Sequence, residues 1–198
     1  GDSFKLGSAT CDILAVNVDN GDPNNTSIVL RIVYGDTSFL FTGDAEREVE
    51  QAILDCGAEI SSTVLKVGHH GSESSTSYVW LREIMPKYAV ISVGDDNSYG
   101  HPTEATLSKL RDADVKTFRT DMQGHIICTS DGKSVSFSAE RNQEANTLVG
   151  AGAGGNHTTE DSDDSNSTEA SYILNTNTKK FHYPNCSSVD QMSDKNKK

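Results

Sequence analysis

Basic charge, proline and long apolar runs are what this 198-residue chain has little of. It carries 17 Lys and Arg against 29 Asp and Glu, a formal net charge of -12. That balance excludes a general attraction to nucleic acid or anionic lipid, which needs clustered cations, while leaving room for a local basic groove. No stretch reaches the roughly 18 consecutive apolar residues of a membrane-crossing helix. The first residues show no basic segment leading into an apolar run, so they do not read as a signal peptide. Cys11, Cys56, Cys128 and Cys186 are far apart with no C-x-x-C pair, which excludes a complete zinc knuckle and a redox motif; three of them are expected to be small core residues. Hydrophobic content is 34%, low for a wholly folded chain, and the apolar residues concentrate before about position 138. That part has the residues to bury a core, and the remainder dilutes the average. No internal repeat is evident.

What is present reads as alternating strands and helices. SIVLRIVY (27–34) is rich in β-branched residues, Gly35-Asp36 supplies a turn and SFLFT (38–42) returns, together a hairpin. From Ala45 to Cys56, Val49, Ala52, Ile53 and Cys56 recur at helical spacing, with Glu46, Glu48 and Glu50 where the helix dipole favours negative charge and Gly57 as the stop. TVLKV (63–67) is a short buried-type strand, 68–75 an ordered polar loop, and 77–85 a helix halted by Pro86. YAVISV (88–93) is a strand, Pro102 to Asp112 a helix, Val115 to Arg119 a strand, and 124–129 with 133–138 a hairpin across Asp131-Gly132. Such alternation favours a layered α/β domain.

Two polar clusters end apolar strands: Thr42-Gly43-Asp44 and Gly68-His69-His70-Gly71-Ser72. Asp44 has two readings, a metal-type carboxylate or an N-cap for the helix that follows. The second cluster favours the first, because a glycine-flanked turn has no folding reason to hold two imidazoles, and adjacent strands of one sheet would bring both clusters to one edge. Neighbouring side chains point apart, so one histidine can bind a metal while the other faces a substrate oxygen. His101, again after a strand and before a helix, either punctuates the helix start or donates a proton or hydrogen bond to a phosphate or leaving oxygen. Asp95, Asp96 and Asn97 lack the alternation of an EF-hand loop and read as a turn. His125 and His157 attract no role.

The segments SIVLRIVYGDTSFLFTGDAE, VLKVGHHGSESS, YAVISVGDDNSYGHP and FRTDMQGHIICTSDGK, in that order, resemble the metallo-β-lactamase-like domain of the ComEC family of DNA-uptake channel proteins and of related secreted hydrolases. The resemblance spans roughly residues 10 to 138. It implies an αββα sandwich, here its C-terminal portion, with one or two zinc or manganese ions at one edge and phosphodiester bonds of DNA or another phosphate ester as substrate. Carried over, Asp44 and His70 match metal ligands, His69 would face the scissile phosphate, and His101 in Tyr-Gly-His-Pro matches a further active-site histidine. The family's first ligand motif, of His-x-His-x-Asp-His type, has no counterpart here. The expectation is therefore a fragment of a longer protein acting outside the cell or at the outer face of the cytoplasmic membrane, weak in metal binding and nearly inactive by itself.

Residues 139–170 combine a Gly-Ala run with an acidic Ser, Thr and Asp tract and read as a flexible linker. The remainder, 171–198, contains YILNTNTKKFHYPNCSSVDQM, which resembles the start of a small Ada-type zinc-binding module without its later cysteines. Its other reading is an aromatic-studded disordered tail. The domain boundaries expected are thus 1–138, 139–170 and 171–198. Two further functional readings remain open at this stage: a related hydrolase acting on another ester, and a non-catalytic DNA- or surface-associated accessory.

Overall fold

The computed structural model describes residues 1–14, 18, 21–149, 173–175, 180–182 and 195. The chain divides into two compact units, Gly1–Gly155 and Asn156–Lys198. In the first, the strands are β1 (Ser3–Leu6), β2 (Ala9–Ile13), β3 (Leu30–Tyr34), β4 (Thr37–Phe41), β5 (Val64–Lys66), β6 (Tyr88–Ile91), β7 (Lys116–Arg119), β8 (Ile126–Ser130) and β9 (Val135–Ala139). The helices are α1 (Arg47–Asp55), α2 (Tyr78–Ile84), α3 (Glu104–Asp112) and the single turn α4 (Thr120–Gln123). In the second unit, β10 (Ile173–Asn175) pairs antiparallel with β11 (Lys180–His182). Cys186, His157 and most of the proposed zinc-module segment lie outside the described residues.

Seven strands form one sheet in sequence order, β1 to β7. The first four are antiparallel neighbours, and β4 through β7 run parallel. Parallel neighbours need crossovers, and α1, α2 and α3 are those crossovers. The in-register row Leu40, Leu65, Ala89 faces the helices and meets Val49, Ile53, Trp80, Leu81, Ile84, Leu107 and Leu110 in one buried cluster. Alternation along each strand turns the rows on either side, one with Tyr88 and the other with Phe118, to the opposite face. There the β8–β9 hairpin packs: Phe137 stacks on Phe118 at 4.3 Å between ring centres and tilts against Tyr88 at 4.9 Å. Its turn is pinned by Asp36 N–H donating to Gly132 O at 2.7 Å. The result is a mixed α/β arrangement, as the sequence implies, with layers on both faces of the sheet.

Three features depart from the sequence reading. Strands β1 and β2 were not anticipated; β1 is exposed throughout and so carries no burial pattern. Residues 140–149, assigned above to a linker, are seated on the first unit. Buried Arg119 donates to Thr147 O and Val149 O, and Thr147 Oγ1 donates to Thr117 O at 2.6 Å. Of the cysteines expected in the core, Cys11 is buried, Cys128 is half-buried and Cys56 is exposed, because Cys56 lies beyond the last turn of α1 rather than on its inner face.

Candidate functional site

The loops at the carboxyl ends of the parallel strands β4, β5 and β6 deliver Asp44, the His69-His70 pair and His101 to one edge of the sheet, the place where open parallel sheets present ligand sites. Asp44 is not a helix cap. Helix α1 begins at Arg47 with Glu46 as its N-cap residue, and the Asp44 N–H is taken up by Ser27 Oγ at 3.0 Å. Its carboxylate is left facing His70, with Oδ1 3.4 Å from Nε2. The other ring nitrogen, Nδ1, lies 2.6 Å from Ser92 O. A carbonyl only accepts, so Nδ1 carries the hydrogen and Nε2 turns its lone pair towards the carboxylate. Two acceptors that close require a cation or an added proton between them.

The fit to a metal can be judged from that spacing. Donors about 2.0–2.1 Å from a tetrahedral zinc stand roughly 3.4 Å apart, and a metal-ligating histidine commonly donates its second N–H to a carbonyl or carboxylate. Asp44 and His70 meet both conditions. Among the described residues no group of three or more His, Cys, Asp or Glu converges on one point, so this pair supplies two ligands and no third.

His69 is held separately. Its Nδ1 lies 3.2 Å from Glu46 Oε1, which also accepts from Ser74 Oγ at 2.7 Å. Glu46 and Ser74 escaped the sequence reading because Glu46 suits a helix start by charge alone. His69 N–H donates to Gly43 O at 3.0 Å, tying this loop to the one that carries Asp44. Both histidines adopt left-handed backbone, φ 45° at His69 and φ 54° at His70. Their rings stand 6.4 Å apart at 71°, so they serve different partners.

His101 joins from the third loop, its ring 5.7 Å from that of His69. The next turn is fastened to the histidine loop by Thr103, whose N–H and Oγ1 both donate to Gly71 O, at 3.0 and 3.2 Å. Gly71 is required there: φ is +89° and a Cβ would come within 2.5 Å of Pro102 Cβ. Helix α3 is capped by Thr103, so His101 is not its cap. His101 Nδ1 is shielded from solvent with no hydrogen-bond partner among the described residues. Burial holds the His101 pKa below the ordinary imidazole range, with the charges of His69 and His70 acting the same way and Asp44 opposing them. Lys66, unremarked in the sequence, stands at the end of β5 with Nζ donating to Val67 O at 2.8 Å. Burial lowers its pKa and the Asp44 carboxylate partly restores it. A lysine inside an apolar strand was the signal for it. Asp95 and Asp96 line a turn braced by Asn97, and His125 is exposed beside Glu140.

Residues 17–95 match the Metallo-beta-lactamase superfamily. Over 108 residues, 54% of this chain, the sequence is 41% identical to ComE operon protein 3 of Bacillus subtilis (strain 168) and covers 14% of that protein. Competence protein ComA of Neisseria gonorrhoeae is 43% identical over 108 residues, 54% of this chain and 16% of that protein. Recombination protein 2 of Haemophilus influenzae is 34% identical over 110 residues, 56% of this chain and 14% of that protein. The chain therefore spans a small fraction of the length of these relatives. The match includes Asp44, His69 and His70, and the same three residues form the constellation at the sheet edge. Residues 17–95 thus carry a Metallo-beta-lactamase superfamily match, and over about half its length the chain is similar to ComEC-like competence proteins.

Proposed function

We propose that this site contributes to metal-dependent hydrolysis of phosphodiester bonds in DNA, within a ComEC-like protein working in DNA uptake at the cell envelope. The observation that carries the reading is the pair of facing acceptors, Asp44 Oδ1 and His70 Nε2, 3.4 Å apart with the imidazole tautomer fixed by Ser92 O. Superfamily membership supports a divalent metal, zinc or manganese, and the names of the competence and recombination relatives support DNA. Asp44 and His70 would hold the ion. When bound, it supplies Lewis acidity, lowering the pKa of a coordinated water and neutralising phosphate charge.

The chain's own residues do the rest. His69, oriented by Glu46 through Nδ1, presents Nε2 to a phosphate oxygen. His101, neutral at pH 7 because its pKa is depressed, offers a hydrogen bond to the same phosphate or its leaving oxygen. Lys66 adds a positive charge at the strand end beside Asp44.

Manganese affinity of the purified chain, measured by competition with a chelating dye, tests the metal role independently of turnover. Asp44→Ala and His70→Ala are each expected to weaken binding by tenfold or more, while His125→Ala leaves it unchanged. Wild-type affinity in both site variants would remove them from the ligand set. With two ligands among the described residues, hydrolysis of bis(p-nitrophenyl) phosphate is expected to be slight.

A further inference from the structure

We infer that Tyr99 is a stacking platform for a nucleobase next to the phosphodiester held at the histidine site; this rests on the proposed function and specifies its substrate as nucleic acid with bases accessible. Tyr99 is 81% exposed, a large aromatic surface open to solvent beside the site. One side of its ring is turned towards the His101 ring, with 5.9 Å between centres and 22° between planes. His101 in turn stands edge-on to His69 at 5.7 Å. A short ladder of rings thus leads from the phosphate-facing imidazoles out to solvent, ending in one open aromatic face.

The loop presenting that face is braced. The Asn97 side chain donates to Gly94 O at 3.0 Å and to His101 O at 2.8 Å, and accepts from His101 N–H at 2.9 Å. Tyr99 lies inside the segment closed by these bonds, so little main-chain freedom remains to be lost when a ring settles on it. Its chain neighbours are Ser98 and Gly100, with Asp95 and Asp96 just before, so the loop itself supplies no apolar side chain beside the ring for a peptide side chain or acyl chain. A flat π surface flanked by polar groups suits a base, and stacking is tolerant of which base it is. It also offers grip where cations are scarce: with a net charge of -12, a phosphate backbone gains little from the protein as a whole.

The test uses the full chain with manganese present and compares fluorescein-labelled octathymidylate with an abasic tetrahydrofuran oligomer of the same length, by fluorescence anisotropy. The thymidylate is expected to bind about tenfold tighter, the worth of one stacked base. Tyr99→Ala should erase that preference while leaving abasic binding within twofold, and Tyr99→Phe should keep it, because the benzene ring stacks without the hydroxyl. Equal binding of both oligomers by the wild-type chain, or a preference surviving in Tyr99→Ala, overturns the stacking role and leaves the phosphodiester reading standing. Binding of neither oligomer overturns both.

Discussion

At His69 and His70 the backbone sits in the left-handed region twice in succession, a conformation costing L-residues about 1–2 kcal/mol each. The surrounding contacts hold it: His69 N–H to Gly43 O, Ser72 N–H to His69 O, and His70 Nδ1 to Ser92 O. Strain of this kind, kept where side chains must be aimed, is characteristic of functional loops. It yields a comparison free of side-chain effects, because His70→Gly and His70→Ala both remove the ring. The glycine variant is expected to be the more stable by about 1 kcal/mol in urea unfolding; a more stable alanine variant would mean the turn is not strained. Sequence alone gave reason to single out Asp44, His69, His70 and His101, since polar groups in glycine-flanked turns after apolar strands have no packing purpose. Glu46 stayed hidden because an acid at a helix start needs no further explanation, and Ser92 acts through a carbonyl that every residue possesses.

Among elements, α1 and α3 do more than cover the sheet. Glu50 of α1 is buried and its carboxylate accepts from Thr76 N–H and, at 3.0 Å, from Ser77 N–H. Lys109 of α3 donates to Ser75 O at 2.9 Å and Thr106 Oγ1 to Ser72 O at 2.9 Å. These bonds clamp 72–77, the loop continuing from the two histidines, between two helices. Burial raises the Glu50 pKa above its ordinary 4.5, against the lowering effect of its hydrogen bonds and of Lys109. A carboxyl with a raised folded pKa binds more protons folded than unfolded just above 4.5, so stability falls as pH rises through the folded value. Wild-type chain is therefore expected to gain stability relative to Glu50→Gln on going from pH 7 to pH 5, read as the difference in urea midpoints. Equal shifts in the two proteins would show that the carboxylate is not penalised. Glu50→Ala leaves both N–H donors buried without an acceptor and is expected to cost about 2 kcal/mol at pH 7. The helices themselves were legible, α1 through the spacing of Val49 with Ile53 and α3 as the segment that follows Pro102. The clamp was not, because Glu50 reads from sequence as one more solvated acid and Lys109 as one more solvated base. Nor was strand β1, which contributes edge pairing to β2 without burying a side chain.

Over the whole molecule the formal net charge is -12, and the described cations near the site are few. Oligonucleotide binding is accordingly expected to show a shallow salt dependence, with log K against log salt no steeper than roughly −2, as for a single strand contacted by two or three cationic groups. A slope near −5 in an anisotropy titration would reveal a basic groove elsewhere. The order of strands across the sheet equals their order along the chain, β1 through β7. A ribosome releasing this polypeptide would thus find every new strand a waiting neighbour, already made, on which to dock. Asp44 would be set first, the two imidazoles next, and only with Thr103 reaching back to Gly71 would the pocket close. Assembly and synthesis can proceed in step, and Asp44, the two imidazoles and His101 come to share one edge only once the last of their loops has emerged.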